Sequence, residues 1–208
     1  MNQHEMWSQR YRATGEDYLF GTAPNRFLEQ HAGLFRPGQR ALSVADGEGR
    51  NSVWLAAQGL EVTAVEYTEV AVEKARRLAA ARGVAVGFEV GDILAADWPP
   101  PLHREAYDWV VAIFIQFAGP GERPAQMAGL KAAARSGGGI LLQGYTPKQV
   151  EYRTGGPPHA ENMYTEPMLR ELFADWRIEE LVEYEDDISE GSGHKGRSAL
   201  IGMVARKP

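Results

Sequence analysis

Apolar residues recur along this chain in two periods. Short aliphatic and β-branched runs at residues 40–45, 61–66, 84–90, 107–114 and 140–144 read as strands. Between them, apolar positions three and four apart read as helices over residues 51–58, 68–82 and 122–135. The punctuation agrees, since Thr68 can cap the second of these helices while Gly59 and Gly83 can close the first two. Strand and helix alternating in this way predict an α/β fold, Rossmann-like and doubly wound, with a mostly parallel sheet and helices on both faces. The most apolar stretch, residues 109–115, falls far short of the ~20 residues that span a bilayer as a helix, and it reads as a buried strand.

Both ends of the chain depart from this alternation. Residues 2–13 predict a short amphipathic helix around Met6, Trp7 and Tyr11; Gly15, Gly21 and Pro24 then break the chain, so residues 1–24 read as an arm. Asn25 can cap a helix carrying Phe27, Leu28, His31, Leu34 and Phe35, which Pro37 and Gly38 stop. After residue 144 the pattern turns irregular. So long a segment without structure is commonly functional, and residues 145–165 are expected to form a substrate-side loop. A helix over residues 166–174 follows. Two strand-like runs, 177–184 and 198–205, joined by a polar, glycine-rich segment at 185–197, predict an antiparallel C-terminal pair. Residues 1–208 read as one domain.

Composition narrows the chemistry. The 208 residues contain no cysteine, which excludes disulfides, thiolate metal sites and cysteine nucleophiles. A net charge of -6 argues against a nucleic-acid surface, which needs clustered Lys and Arg. With no apolar leader near residue 1, the expectation is a cytoplasmic protein with a small-molecule substrate and neither a membrane nor a nucleic-acid partner. Five scattered histidines, without close pairing, give no reason to expect a metal; carboxylates such as Asp92 or Asp108 leave a magnesium site open, but nothing singles it out.

The segment Asp46-Gly47-Glu48-Gly49-Arg50-Asn51-Ser52 stands between a strand and a helix. Glycines there let the backbone approach a ligand, and the helix start offers unpaired N–H groups. A lone Gly-x-Gly also occurs at plain turns, but Glu66 ends the next strand about twenty residues on, where a carboxylate can accept from both hydroxyls of a ribose. Gly91-Asp92 ends the third strand, where Asp92 can meet an exocyclic amine and Ile93 can cover an adenine face. Two cofactors suit such a set, a nicotinamide dinucleotide and S-adenosylmethionine. A dinucleotide wants Gly or Ala where this chain has Ser52, so S-adenosylmethionine is the better match and an NAD(P)-dependent oxidoreductase the alternative.

The runs DGEGRNSVWLAA at residues 46–57, EVTAVE at 61–66, Gly91-Asp92-Ile93 and Val204-Ala205-Arg206-Lys207 resemble class I S-adenosylmethionine-dependent methyltransferases, nearest the tellurite-resistance and thiopurine methyltransferase group. The resemblance implies that Gly47, Glu48 and Gly49 line the methionine end, with Asn51 and Ser52 beyond. It implies that Glu66, beside Tyr67, holds the ribose, that Asp92 and Ile93 hold the adenine, and that Trp7 and Tyr11 close over the cofactor. Where the family has an acidic residue inside the first strand and a glycine at its end, this chain has Ser43 and Ala45, and Asp46 is the candidate to take over the contact with the amino group. A protein that binds the cofactor without catalysis is a second alternative.

Methyl transfer from a sulfonium is an in-line displacement, so the protein chiefly positions the acceptor and excludes water. A thiol or metalloid anion needs no strong base; a phenol or an amine benefits from one. Tyr145 and His194 are the candidate acid–base groups. Phe114 and Gln116 are expected to line the site after the fourth strand, and the substrate side is expected to draw on Gln116, Phe117, Tyr145, Lys148, Tyr152 and His159.

Overall fold

The computed structural model describes residues 2–208; Met1, the first residue of the expected arm, lies outside them. Helix α1 (Gln3–Ala13) is capped by the Asn2 side chain, which accepts from the Glu5 N–H at 2.8 Å. Helix α2 (Arg26–Gln30) is capped in the same way by Asn25, and a single 3₁₀ turn at Ala32–Leu34 carries the rest of the expected apolar face. The alternating body follows as β1 (Arg40–Val44), α3 (Arg50–Ala57), β2 (Glu61–Glu66), α4 (Glu69–Arg82), β3 (Gly87–Val90), β4 (Tyr107–Ile113), α5 (Arg123–Ala133) and β5 (Ala134–Tyr145). Then come α6 (Gln149–Tyr152), α7 (Glu166–Leu172), β6 (Arg177–Glu190) and β7 (His194–Arg206).

All seven strands form one sheet in the order β3-β2-β1-β4-β5-β7-β6. The first five are parallel, while β7 runs antiparallel to both β5 and β6. Helices cover both faces, which is why the central strands read as continuous apolar runs instead of alternating ones. One face packs Leu42, Val110, Met127, Leu142 and Phe173; the other packs Phe27, Leu55, Trp109 and Val111. Each such side chain contributes about 1.5–3 kcal/mol by leaving water. The strand order reverses between β1 and β4. In open α/β sheets that reversal leaves a crevice at the carboxyl ends of the strands. Among the described residues no helix is long and apolar enough to cross a membrane.

Several boundaries differ from the sequence reading. Helix α3 starts one residue early, β3 is shorter than expected and β5 much longer, and the expected loop at 145–165 contains α6 and a 3₁₀ turn at Ala160–Asn162. The largest correction concerns residues 185–197, which form no loop. Strands β6 and β7 continue through them, paired from Arg177 opposite Arg206 to Glu190 opposite His194 with one bulge between Ile178 and Glu180, and turn only at residues 191–193. Because β6 is an edge strand with much of its surface in water, it accommodates a run of charged residues that lacks the apolar signature of a buried strand.

A buried ion pair ties the arm to this frame. Lys74 of α4 donates to Glu48 Oε1 at 2.9 Å, to Thr14 Oγ1 at 2.5 Å and to the Asp17 carbonyl at 2.7 Å. The other Glu48 oxygen accepts from the Leu19 N–H at 2.7 Å. In turn, the Leu19 carbonyl accepts from the N–H groups of Ser192 and Gly193, both at 2.9 Å, so the arm is stitched to the hairpin tip as well. With both charged side chains almost wholly out of water, removing one partner strands the other. Glu48→Ala is therefore expected to lower the unfolding free energy by about 3–5 kcal/mol. Urea denaturation followed by fluorescence measures it, and the double variant Glu48→Ala with Lys74→Met should recover part of the loss.

Candidate functional site

The turn after β1 is built from the chain's least ordinary backbone. Ala45 sits at φ 47°, Gly47 at 62° and Gly49 at 91°, so the chain reverses sharply from strand into α3. Gly49 is also required by space, because a Cβ there would stand 2.7 Å from the Ala75 Cβ of α4. Alanine at position 45, where glycine would be unstrained, costs about 1 kcal/mol or more. Next to it, β4 leaves the sheet through Phe114, also left-handed at φ 56°. The crevice opens between these two strand ends as a cavity of ≈ 390 Å³.

One side of the cavity is polar and deeply buried. Glu66 Oε2 accepts from the Gly47 N–H at 3.0 Å, and Oε1 accepts from the Thr68 N–H and hydroxyl at 3.0 and 3.1 Å. A carboxylate has about four acceptor positions, so these three bonds fix its orientation and leave capacity toward the cavity it lines. Burial pushes the Glu66 carboxyl above its ordinary value, against the pull of those bonds. Asp46 is turned inward: Ser43 donates to Oδ1 at 2.7 Å and Ser52 to Oδ2 at 2.5 Å. Burial raises its carboxyl too. Ser43, inside β1, thus anchors the Asp46 carboxylate.

Asp92 Oδ1 accepts from the Leu94 N–H at 2.8 Å, its other oxygen has no protein partner among the described residues, and Ile93 and Leu94 line the wall beside it. Asn51 accepts from the Asn25 N–H through Oδ1 at 2.9 Å. The roof is aromatic: Trp7 and Tyr11 from α1 stack at 5.9 Å, and Phe20 lies 6.4 Å from each. Tyr11 is buried among Glu66, Glu48 and Asp46; burial first and then those charges push its phenol well up, so it is a neutral hydroxyl lying over Gly47.

At the far end stands a group the sequence reading did not assemble. Arg50 donates through Nη2 to Glu190 Oε2 at 2.7 Å, while its Nη1 is buried without a partner. Glu190 Oε1 accepts from Asn25 Nδ2 at 2.9 Å, and the same amide reaches Gln143 at 2.6 Å. His194 Nδ1 lies 3.5 Å from Glu190 Oε2, at the edge of reach and without hydrogen-bond alignment. Phe20 and Phe114 hold the His194 ring at centroid distances of 4.5 Å each. Burial alone would raise Glu190; the His194 ring and the Arg50 charge outweigh it and hold the carboxyl down at about 2. Burial, with the charges of Arg50 and Arg10, outweighs the attraction of Glu190 and lowers His194 below the ordinary histidine value.

The cavity therefore brings together Trp7, Tyr11, Asp46, Gly47, Asn51, Glu66, Tyr67, Asp92, Ile93, Phe114, Phe117 and His194. Other sequence candidates stand elsewhere. Glu48, Gly49 and Ser52 lie behind the wall, the first facing Lys74, the second packed on α4 and the third bonded to Asp46. Gln116 is buried and bonded at both ends to the Tyr145 backbone, so it closes the sheet beside β5 and does not line the cavity. Tyr145 is packed under Phe114 at 4.6 Å, its hydroxyl buried without a partner. Lys148 and Tyr152 reach the exposed side of β6, where with Arg197 they surround Glu185; Lys148 first, then Tyr152 and Arg197, hold that carboxyl at about 2. His159 is on the surface, 3.9 Å from Glu161. Asp108 lies at the opposite end of β4, paired with Arg135.

Comparison with known proteins gives the site its context. Residues 41–138 match the family described as Methyltransferase domain. Hemagglutinin 1 of Eikenella corrodens is 29% identical over 178 residues, covering 81% of this chain and 55% of that protein, so the chain spans about half the length of the curated relatives it matches. Among solved structures, a protein of echinomycin biosynthesis that converts a disulfide bond into a thioacetal group superposes with a TM-score of 0.79 at 20% identity, over 99% of this chain and 92% of that one. TehB from Haemophilus influenzae does so with a TM-score of 0.71 at 21% identity, over 99% of this chain and 67% of that one. The domain match thus covers residues 41–138, just under half of the chain, and the chain shares its fold with S-adenosylmethionine-dependent methyltransferases of known structure.

Proposed function

We propose that this protein methylates a small-molecule acceptor held at the aromatic end of the cavity between β1 and β4. One observation carries the reading: a single cavity joins Glu66, Asp92 and the unpartnered Arg50 Nη1 along the strand ends and finishes at Phe114, Phe117, Phe20 and His194. These residues fit the cofactor group by group. Glu66, oriented by Gly47 and Thr68, is an acceptor for a ribose diol. Asp92 has a free oxygen for an exocyclic amine, with Ile93 and Leu94 as apolar neighbours. Arg50 Nη1 is a buried donor lacking an acceptor, which a carboxylate would supply, and Asp46 is an anionic neighbour for an ammonium. When bound, S-adenosylmethionine supplies a methyl group already activated on a sulfonium. The remaining work falls to the chain. Trp7, Tyr11 and Phe20 exclude water from above, and Phe114 with Phe117 presents apolar surface to the acceptor.

Calorimetry with S-adenosylhomocysteine tests the reading: micromolar binding is expected, and absence of heat overturns it. A transfer screen over thiols, phenols, amines and metalloid oxyanions then identifies the acceptor class. Glu66→Ala should weaken S-adenosylhomocysteine binding by about 1–3 kcal/mol through loss of charge-assisted hydrogen bonds. Affinity should also depend on pH with a definite sign. Hydroxyls donate to the ionised Glu66, whose carboxyl lies above its ordinary value of about 4.3, so affinity falls as pH drops through that raised value and Glu66→Gln flattens the profile. Titrations at a series of pH values on both proteins check this.

A further inference from the structure

Glu190 stands nowhere in the cofactor reading, yet the fold spends several buried groups on holding it. It is among the least exposed carboxylates of the chain, and it ends the strand of the hairpin whose other strand begins at His194, which lines the cavity. Arg50 from α3 binds one oxygen at 2.7 Å and Asn25, from the cap of α2, binds the other at 2.9 Å. Asn25 is in turn fixed by Gln143 of β5, which donates to the Tyr184 hydroxyl of β6 at 2.5 Å. Two elements, α3 and the cap of α2, thus hold one carboxylate, with Gln143 of β5 and Tyr184 of Glu190's own strand behind Asn25, and what it faces is the Nδ1 of His194 at 3.5 Å. His194 is itself nine-tenths buried and lines the cavity. Phe20 and Phe114 flank its ring, Tyr145 meets it edge-on at 5.7 Å, and Nε2 has no protein partner among the described residues.

We infer that Glu190 positions His194 as a general base for an acceptor that carries its own proton, an O–H, N–H or S–H group. The inference rests on the methyl-transfer reading and names the acceptor class for it. An ionised carboxylate beside Nδ1 accepts a hydrogen bond only from Nδ1–H, so it selects the tautomer whose lone pair is on Nε2. The 3.5 Å separation closes to a hydrogen bond when the cavity fills, as separations between catalytic groups commonly do. The acceptor's X–H bond breaks, its proton passes to Nε2 and then to solvent, and its electron pair bonds to the methyl carbon as the carbon–sulfur pair departs with sulfur. Imidazolium formed in this way lies against the Glu190 carboxylate. The charged and titratable groups around the ring are Glu190 of β6, Arg50 of α3, Arg10 of α1 and the Tyr145 phenol of β5; burial first, and then the two cations, favour the neutral resting ring, whose Nε2 lone pair can accept a proton. Glu190 touches no reacting atom and is a positioning residue.

Nuclear magnetic resonance of the histidine ring nitrogens, on the protein saturated with S-adenosylhomocysteine between pH 5 and 8, tests this without turnover. Expected is a neutral His194 with its proton on Nδ1, titrating below about 6.5, and a midpoint that moves lower still in Glu190→Gln. A proton on Nε2 in the wild-type complex overturns the proposal. Should Glu190→Gln fail to fold, the wild-type tautomer alone decides. As a second measurement, transfer to the best acceptor of the screen should rise with pH through the His194 midpoint and fall about 10²- to 10⁴-fold in His194→Gln; an unchanged rate refutes the base. Failure of S-adenosylhomocysteine to bind would instead remove the underlying methyl-transfer reading, so the two failures are distinguishable.

Discussion

The contact between Glu48 and Lys74 is the constraint on which the site depends. Glu48 belongs to the glycine turn, Lys74 to α4, and the groups they jointly hold, Thr14, Asp17 and Leu19, belong to the arm. Buried ion pairs gain little over apolar packing of the same shape, but they tolerate few alternative arrangements, because any misplacement leaves a charge without a partner. Here that intolerance positions the turn, the helix packed beside it and the aromatic roof relative to one another. The turn can then follow a left-handed path without being free to wander, and Glu66 finds the Gly47 N–H where it needs it.

Much of this is legible in the sequence itself. The alternation of strand and helix through β5 follows from apolar period and glycine punctuation, and Glu66 and Asp92 were placed at strand ends by position alone, since in a parallel sheet a polar residue just past an apolar run faces the same edge as its neighbours. Glu48 turns away from the cavity for a physical reason: a residue between two glycines can point to either side of the turn, and only Lys74, a helix away, decides which. Gln116 departs from expectation similarly, as its amide completes the hydrogen bonding of the β5 backbone and does not line the cavity.

Glu190 and Arg50 escaped notice for different reasons. An inward-facing acid on a strand leaves no apolar signature, and residues 185–197 look like a loop because only Ile188 among them is a buried hydrophobe. Arg50 was in plain view within the glycine segment, and arginines so placed are usually solvated. What marks it is a buried partner 140 residues away, a pairing that only the folded hairpin creates.

Floor and roof of the cavity have different histories in the chain. The floor comes from neighbouring strand ends, whereas the roof joins Leu19 to Gly193 and Asn25 to Glu190, the latter pair 165 positions apart. Closing so long a loop is entropically slow. On a ribosome the arm emerges early and can meet Glu48 and Lys74 well before the hairpin follows it out, so a nascent chain passes through a stage with its cavity floor laid down and its roof fastened along one side only.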